Sequence, residues 1–205
     1  MNLSNLEKNN VKDVYENIAE QFRVTRVYTW SWIKSFVNTL PDNSIIYDIG
    51  CGNGRNMIFN NHTMIGIDNC KKFVNMCLND NKLAIQANMT NINLPNNSAD
   101  AIICIASFHH LSNIENRVKA LNEMKRLIKP GQKILLSVWS FNQPKKTRIL
   151  FNSYGNQLVS WNHKYKRFYY IFRIEEIKAL FKCVELELMN HIYDCGNEIF
   201  ILTKK

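Results

Sequence analysis

The chain has 205 residues, of which 46% are hydrophobic and 21% are charged. This length fits one globular domain with a sizeable core, and this composition excludes disordered, collagen-like and low-complexity proteins. No apolar run approaches the ~20 residues that a membrane-spanning helix needs, and the first ten residues lack the apolar stretch of a secretory signal. We therefore expect one domain over residues 1–205, without a membrane partner, in the cytoplasm or the nucleus.

The six cysteines are scattered singly along the chain, and no two of them have the Cys-x-x-Cys spacing of a zinc knuckle. The sequence also lacks the short, cysteine-dense pattern of a disulfide-stabilised secreted domain. We expect reduced thiols and no resident metal ion. The positions are Cys51, Cys70, Cys77, Cys104, Cys183 and Cys195.

The chain carries 26 Lys and Arg against 17 Asp and Glu, a formal net charge of +9, and the excess is concentrated in one region. Residues 124–174 hold many basic and aromatic residues and no acidic one. This combination is typical of a surface that binds a polyanion and stacks on its bases, although a solvated basic face over core rings would leave the same pattern. We expect residues 140–173 to form a basic aromatic substrate-binding insertion, with candidate contacts Lys145, Lys146, Arg148, Trp161, Lys164, Lys166 and Arg167.

Apolar residues recur at helical spacing in residues 11–22 and 30–40, so two helices are predicted ahead of the first strand, within residues 1–40. We expect these helices to complete the cofactor and substrate site. Short β-branched runs then alternate with amphipathic helical patterns, which predicts right-handed crossovers and a parallel sheet. Strands are predicted at residues 44–50, 63–67, 83–87, 101–108 and 133–139, and helices at residues 71–78 and 114–129.

The end of the chain has a different pattern. A predicted helix at residues 173–181 precedes two β-rich runs, 184–194 and 198–205, which are separated by three residues. So short a connection makes the two runs antiparallel, whereas a nicotinamide-binding fold would have a parallel sixth strand. The predicted fold class is α/β and Rossmann-like, with a seven-stranded, mostly parallel sheet, a C-terminal antiparallel hairpin, and helices on both faces.

A glycine-rich motif, Asp-Ile-Gly-Cys-Gly-Asn-Gly, follows the first predicted strand at residues 48–54. Alternate glycines allow a sharp turn close to a ligand, and we expect the loop to lead into a helix N-terminus whose free amides receive a carboxylate. A dinucleotide fingerprint does not fit, because Arg55 stands where its third glycine would be, and no phosphate-loop lysine follows. The motif predicts a nucleotide-like cofactor held by Gly50, Cys51 and Gly52.

Asp68 ends the second predicted strand, where a carboxylate can accept hydrogen bonds from both hydroxyls of a ribose. The alternative role is an N-cap for the helix that begins at residue 71. With the glycine loop, Asp68 predicts a cofactor crevice at the carboxyl ends of strands one, two and four. We expect Asn69, Met89 and Ala106, which follow neighbouring strands, to line this crevice.

Longer stretches of the sequence resemble one family: YENIAEQFRVTRVYTW, YDIGCGNGRN, MIGIDNC, IASFHHL, LLSVW, QLVSWNH, RFYYIFRIEEI and DCGNEIFI. They resemble the tRNA wobble-uridine carboxymethyl methyltransferases, which are class I S-adenosylmethionine-dependent methyltransferases, and the likeness covers about nine-tenths of the chain. Its most particular pieces are the F-x-x-T-R-x-x-x-W pattern at residues 22–30 and the paired His109 and His110. Thr29 and Ser160 stand where the family has proline.

The resemblance implies S-adenosylmethionine as cofactor and, as methyl acceptor, the carboxylate of 5-carboxymethyluridine at wobble position 34 of the tRNA anticodon loop. It also implies a small zinc-binding activator subunit, for which residues 83–87 offer a candidate docking edge. Asp48 would orient the glycine loop and receive the methionyl amine. Asn88 stands where these methyltransferases usually carry an acid for the adenine amino group, and an amide oxygen can accept the same hydrogen bond.

A carboxylate is already ionised at neutral pH and the sulfonium methyl is already electrophilic, so this reaction needs positioning and no general base. We expect Arg26 to orient the carboxylate of the uridine or of the cofactor. We expect His109 to lie beneath the modified base, and Trp139 and Trp161 to form walls of the base pocket. The alternative roles are a helix cap for Arg26 and core positions for the rings.

Two other functions fit part of the sequence. A methyltransferase of small molecules, such as quinone or sterol precursors, would share the glycine loop but would not use the acid-free basic stretch. A non-catalytic RNA-binding relative is slightly favoured by Asn88, whereas the intact Asp48 and Asp68 oppose it.

Overall fold

The computed structural model describes residues 4–147 and 149–204, and Arg148, a sequence-predicted RNA contact, lies outside the described residues. Within these described ranges, seven strands form the main sheet and two further strands form a separate pair. In chain order the strands are β1 (Ile45–Ile49), β2 (Thr63–Asp68), β3 (Leu83–Gln86), β4 (Ala99–Ile105), β5 (Ile128–Trp139), β6 (Gly155–Trp161), β7 (Tyr165–Ile171), β8 (Glu187–Asp194) and β9 (Asn197–Thr203).

The helices precede, cover and link these strands. Within the described ranges, every helix falls short of the length and apolar character that crossing a membrane requires. In chain order they are α1 (Asn5–Glu7), a π-helical turn (Lys8–Lys12), α2 (Asp13–Thr25), α3 (Ser31–Val37), α4 (Lys71–Asn79), α5 (Ile114–Leu127) and α6 (Ile174–Cys183).

The main sheet has the strand order β3-β2-β1-β4-β5-β9-β8. Strands β1 to β5 are parallel, and β9 lies antiparallel between β5 and β8. The chain builds outward from β1 to β3 and then returns to place β4 on the other side of β1, which creates a crevice at the carboxyl ends of these two strands. The seven-stranded, mostly parallel sheet and its C-terminal antiparallel hairpin confirm the predicted fold.

Both faces of the sheet are covered, because successive side chains of a strand point to opposite sides. On β4, Ile102 and Cys104 belong to the buried cluster that contains residues of α5 and α6. Ala101 and Ile103 belong to a second cluster, which includes Ile33 of α3. Full burial of each large aliphatic side chain contributes about 1.5–3 kcal/mol to folding. Helices on both faces were predicted, and the structure confirms them.

The N-terminal helix begins earlier than the predicted residue 11. Ser4 and Glu7 form a capping box, in which each side chain bonds the backbone N–H of the other residue. The buried Glu7 carboxylate also accepts hydrogen bonds from the Ser112 N–H at 2.7 Å and from Asn116 Nδ2 at 2.9 Å. These contacts fix the N-terminal helix against the start of α5 and so position the end of α2 over the crevice.

The prediction of a helix directly after the glycine loop is wrong. Residues 50–62 connect β1 to β2 entirely through turns and irregular backbone. Gly50, Gly52 and Gly54 all have positive φ, between 55° and 77°, and repeated left-handed residues interrupt the φ/ψ pattern that a helix needs. Residues 50–62 therefore present no helix N-terminus to a ligand.

The basic aromatic region contains a β-hairpin that the sequence reading did not predict. Strands β6 and β7 pair antiparallel from Gly155↔Ile171 to Trp161↔Tyr165. Their connection contains Asn162 and His163 at φ 49° and 58°. Because hairpin turns with positive φ are usually signalled by glycine, the Asn-His-Lys connection gives no strong signal. One helix boundary and one strand boundary also shift: α5 ends at Leu127 rather than at residue 129, and β5 starts at Ile128 rather than at residue 133.

Glu7 provides a test of how the N-terminal helix is held. Replacing Glu7 with Ala leaves the Ser112 and Asn116 donors without their carboxylate, so the free energy of unfolding should fall by about 2 kcal/mol. Urea denaturation measures this change. Glu20→Ala, at an exposed position of α2, is the matched control and should change stability by less than about 0.5 kcal/mol. Equal destabilisation by the two variants would contradict the anchoring role of Glu7.

Candidate active site

A cavity of about 610 Å³ opens at the carboxyl ends of the parallel strands. Its volume falls within the roughly 300–1,000 Å³ typical of small-molecule and cofactor pockets. The loops after β1 to β4 supply one side, and α2, the segment between α2 and α3, the end of β5, and β7 supply the others. Predicted site residues that line it are Arg26, Gly50, Cys51, Gly52, Asp68, Asn69, Asn88, Met89, Ala106, His109, Trp139, Lys146 and Arg167.

The glycine loop is shaped by a close approach to the loop after β4. Gly50 has φ 77°, and a Cβ at this position would lie 1.9 Å from Ser107 Oγ. The backbone N–H of Gly52 donates a 2.9 Å hydrogen bond to Asp68 Oδ2. The loop after β1 is thereby joined to the end of β2, and only glycine fits at residue 50.

The Asp68 carboxylate also accepts a 2.9 Å hydrogen bond from the Cys70 N–H. Burial raises the pKa of Asp68, while these backbone hydrogen bonds lower it. The alternative role as helix N-cap belongs largely to another residue, because Glu16 of α2 accepts from the N–H groups of Lys71 and Lys72 in the first turn of α4. Asp68 lines the cavity and, as an acceptor, can serve ribose hydroxyls there.

Asp48 lies behind the loop and is fully buried. Within the described residues, neither of its carboxylate oxygens has a hydrogen-bond partner. Burial raises its pKa to about 7, and the nearby Asp68 charge adds to this shift while Arg55 opposes it. Asp48 is not among the cavity walls, so a contact with a methionyl amine would need an intervening water or a shift of the loop.

Asn88 lines the cavity, but its carbonyl oxygen Oδ1 already accepts a hydrogen bond from the Thr90 N–H at 3.0 Å. An amide oxygen has two lone pairs, so one more donor can be accommodated. Ala106, directly after β4, has φ 51° and donates its N–H to the carbonyl oxygen of Ser137 on β5. This left-handed residue turns the chain at the cavity floor.

The paired histidines have different surroundings. His110 is held on both ring nitrogens: Nδ1–H donates to the Phe168 carbonyl at 2.6 Å, and Nε2 accepts from the Tyr15 hydroxyl at 3.0 Å. His109 Nδ1 accepts the backbone N–H of Trp139 at 2.9 Å, which assigns the ring proton to Nε2. In the described part of the chain, this buried Nε2 has no partner. Both rings line the cavity, and His109 differs from His110 in keeping a ring N–H that has no partner among the described residues.

Burial holds both histidines neutral. It lowers the pKa of His110 to about 3 and that of His109 well below its ordinary value, with the Arg167 charge acting in the same direction. A neutral His109 offers a hydrogen-bond donor and no positive charge. It therefore suits positioning of a ligand oxygen rather than charge neutralisation.

Stacked rings form one wall of the cavity. The Trp139 ring lies 4.3 Å from the Tyr169 ring at an interplanar angle of 13°, and the His109 ring lies 4.9 Å from Tyr169. Trp161 is outside the cavity lining, but its ring lies 6.2 Å from that of Phe22, a cavity residue at the end of α2. The wall thus offers flat apolar surfaces suited to a nucleobase.

Among the residues that the structure describes, three arginines from distant parts of the chain line the same cavity: Arg26 after α2, Arg55 in the glycine loop and Arg167 on β7. We call them the arginine cluster. Burial, followed by the charge of Arg167, lowers the pKa of Arg26, and burial followed by the charge of Arg26 lowers that of Arg55. Among residues 4–147 and 149–204, no carboxylate pairs with any of the three. The cluster therefore favours an anionic ligand.

The lysines predicted as RNA contacts lie on exposed surface. Lys145, Lys164 and Lys166 are exposed, and Lys146 is exposed while also lining the cavity mouth. Arg167, which was grouped with them, is instead buried with 4% exposure. The basic segment therefore divides into a surface part and a buried part, because alternate residues of β7 point in opposite directions.

Sequence reasoning missed Arg55 and Tyr169 as cavity residues. Arg55 could have been found, because it directly follows the glycine motif whose backbone lines the cavity. Tyr169 could not have been separated from its neighbours, since the sequence Lys-Arg-Phe-Tyr-Tyr gives no clear alternation and the hairpin was not predicted.

The donor set of the cavity fits an S-adenosylmethionine-type cofactor. The glycine loop allows backbone approach, Asp68 can accept ribose hydroxyls, and the arginine cluster suits a carboxylate. A family model described as a methyltransferase domain matches residues 47–136. Among solved structures, a Methanosarcina mazei S-adenosylmethionine-dependent methyltransferase aligns with 86% of this chain and 98% of its own, at TM-score 0.71 and 16% identity. The fold and the site define a class I S-adenosylmethionine-dependent methyltransferase.

The curated relatives narrow this class. A Schizosaccharomyces pombe protein named tRNA (carboxymethyluridine(34)-5-O)-methyltransferase is 32% identical over 93% of this chain and 94% of its own length. The chain belongs to the tRNA (carboxymethyluridine(34)-5-O)-methyltransferase family. A mouse relative of the same name, ALKBH8, is 38% identical over 70% of this chain, which spans only about a fifth (22%) of that longer protein.

A further solved structure is similar in fold. It is a complex of the Haloferax volcanii Trm112 methyltransferase activator with a methyltransferase, and it aligns with 94% of this chain and 96% of its own. The TM-score is 0.72 and the identity is 13%. At this identity the likeness concerns the fold.

Gly50 provides a direct test of the cofactor loop. Replacing Gly50 with Ala puts a Cβ into Ser107 and strains a left-handed backbone, so affinity for S-adenosylhomocysteine should fall at least about tenfold. Isothermal titration calorimetry measures this affinity. Gly131→Ala is the matched control, because Gly131 has φ 73° and no heavy atom of the described residues lies within 4 Å of its added Cβ. Wild-type affinity in Gly50→Ala would show that the loop does not form the cofactor site.

Proposed function

We propose that this chain transfers a methyl group from S-adenosylmethionine to the carboxylate of 5-carboxymethyluridine at wobble position 34 of tRNA, forming the methyl ester. The observation that carries the proposal is that one cavity joins the glycine loop and Asp68 to the arginine cluster and the stacked rings. A cofactor-binding half and a half suited to an anion and a base therefore share one cavity. The family membership supports the same substrate.

The chemistry requires positioning more than proton transfer. When bound, S-adenosylmethionine supplies an electrophilic methyl group, and the substrate carboxylate is ionised at neutral pH without help from a base. In-line placement of reacting atoms at roughly 3–3.5 Å, with water excluded, removes several kcal/mol of the barrier. The protein must therefore hold the acceptor carboxylate still, leave one oxygen free to attack, and keep water out.

The chain offers a residue for each of these tasks. Arg26, at the end of α2, orients the carboxylate through one oxygen, and the neutral Nε2–H of His109 donates to an oxygen of the substrate. The stacked rings of Trp139 and Tyr169 flank the base on one side and exclude water. On the cofactor side, Asp68 accepts the ribose hydroxyls. Asn88 accepts a hydrogen bond from the adenine amino group through its remaining lone pair, and Asp48, behind the glycine loop, reaches the methionyl amine through a bridging water.

The tRNA reaches this cavity over the exposed basic surface. Lys145 and Lys146, in a short 3-10 helix, and Lys164 and Lys166, around the β6–β7 turn, are placed to neutralise phosphates. Position 34 must leave the anticodon stack to enter a cavity of this depth, and the ring wall offers it a new stacking surface. The lysines hold the RNA backbone, and the cavity recognises the modified base.

A small zinc-binding activator subunit is the proposed protein partner. The edge strand β3 leaves one side of its backbone unpaired within the main sheet, and Leu83 on it is 57% exposed. On the adjacent α4, Leu78 is 50% exposed. An edge strand flanked by exposed apolar side chains suits docking by strand addition, and the fold-related Haloferax methyltransferase is found with a Trm112 activator.

The function is tested by incubating the purified chain with S-adenosylmethionine and tRNA bearing 5-carboxymethyluridine, with and without a Trm112-type activator. Mass spectrometry of the anticodon nucleosides should show the methyl ester. Arg26→Ala should lower turnover by about a hundredfold or more, because the acceptor carboxylate loses its orienting cation. Arg23→Ala, three residues earlier on α2 and paired with Asp80, is the control and should remain active. Absence of the ester in every wild-type reaction would refute the function.

The RNA surface is tested by salt dependence. In the double variant Lys145→Gln/Lys146→Gln, the plot of log affinity for tRNA against log salt should lose about one to two units of slope, because two phosphate contacts are removed. The double variant Lys178→Gln/Lys182→Gln on α6, away from the cavity, should keep the wild-type slope. Fluorescence anisotropy at several salt concentrations gives both slopes. An unchanged slope in the first variant would place the tRNA on another surface.

A further inference from the structure

Arg167 is an unusual buried arginine. Its residue exposure is 4%, and within the described residues its Nε has no hydrogen-bond partner. It lines the cavity from β7, with its guanidinium carbon 4.7 Å from the Trp161 ring and 5.3 Å from the Tyr169 ring. Rings can hold a guanidinium without a counter-ion, but they leave its N–H donors free for an anion.

Arg26, which lies near the start of the sequence, also packs against the Trp161 ring. Its guanidinium carbon lies 5.6 Å from the Trp161 ring and 5.1 Å from the Phe22 ring. Both guanidinium groups therefore lie against the Trp161 ring. Burial, followed by the charge of Arg167, lowers the pKa of Arg26, as expected for two neighbouring cations. Like charges brought together and left without a carboxylate form a site that an anion stabilises.

Arg55 belongs to a different part of the cluster. It directly follows the glycine motif. Burial and then the charge of Arg26 lower its pKa, and the charge of Asp48 opposes this shift. The cluster thus has a cofactor side at Arg55 and a β7 side at Arg167. The proposed reaction brings two carboxylates into the cavity, one from the methionyl group and one from the uridine.

We propose that Arg167 and Arg26 form a subsite that distinguishes the uridine carboxylate from its methyl ester, so that methylation itself weakens the hold on the product. This inference rests on the proposed function and assigns Arg167 a role inside the cavity rather than on the RNA surface. In the transfer, a carboxylate oxygen forms the new bond to the methyl carbon as the sulfur–carbon bond breaks. The sulfonium and the carboxylate lose their charges together, and no proton or other reactant is needed.

The charge change acts on the two arginines directly. One oxygen of the ionised acid accepts charge-assisted hydrogen bonds from both guanidinium groups, which leaves the other oxygen free to attack. The ester is neutral and leaves the two cations without an anion. An amide at the same position is neutral as well and should be rejected in the same way. The subsite therefore selects the acid on entry and favours departure of the ester.

The test compares binding of three anticodon stem-loops, which carry the acid, the methyl ester or the amide at position 34. Affinities are measured by fluorescence anisotropy with saturating S-adenosylhomocysteine, so that no turnover occurs. The wild-type protein should bind the acid about tenfold or more tightly than either neutral form. Arg167→Gln should reduce this ratio to within about threefold. Lys182→Gln, an exposed charge on α6, should leave the ratio unchanged.

A second arginine variant and a methylation assay of the wild-type protein distinguish the possible outcomes. Arg26→Gln, at a partly exposed position, should also reduce the ratio, and it replaces Arg167→Gln if urea denaturation shows that the latter does not fold. An active wild-type enzyme that binds acid and ester equally would overturn the subsite while leaving the proposed function intact. A preference for the acid that persists in both arginine variants would also overturn it. Failure of wild-type protein to methylate the acid-bearing tRNA would instead refute the proposed function.

Discussion

The hydrogen bond from the Gly52 N–H to the Asp68 carboxylate joins the ends of the two strands that begin the fold. It can form only because β1 and β2 are parallel neighbours and because the backbone at residues 50–54 turns through left-handed conformations. The cavity floor depends on this constraint, since the same loop contacts Ser107 after β4 and carries Arg55 into the cavity. Loop shape, acid placement and part of the positive charge therefore follow from one local arrangement.

Much of the fold could be predicted because it rests on periodicity. The parallel strands are short apolar runs, the helices between them are amphipathic, and the two-residue turn of Cys195 and Gly196 between β8 and β9 has the positive φ values that suit a hairpin. The same sequence pattern also predicted which strand ends line the cavity. Parallel strands place their carboxyl ends together, so Gly50, Asp68 and Ala106 could be assigned to one crevice without coordinates.

The errors have local physical causes. The helix expected after the glycine loop is absent from residues 50–62, because three left-handed glycines interrupt it. The β6–β7 hairpin was missed because its connection lacks the usual glycine signal. That omission also hid the difference between Lys166 and Arg167, which are adjacent in sequence but have opposite exposure. Long-range packing, rather than composition, decides which basic residue meets solvent and which enters the cavity.

The cavity also has a consequence for how the protein matures. Arg26 precedes every strand of the main sheet, whereas Arg167 and Tyr169 follow the fifth, and Trp139 lies on the strand that pairs with β9. These groups meet only after contacts of very large sequence separation have closed, and such contacts form late in folding. During synthesis on the ribosome, the sheet nucleus can therefore be compact while the pocket is still open on one side. The chain therefore becomes able to bind a ligand only late in folding.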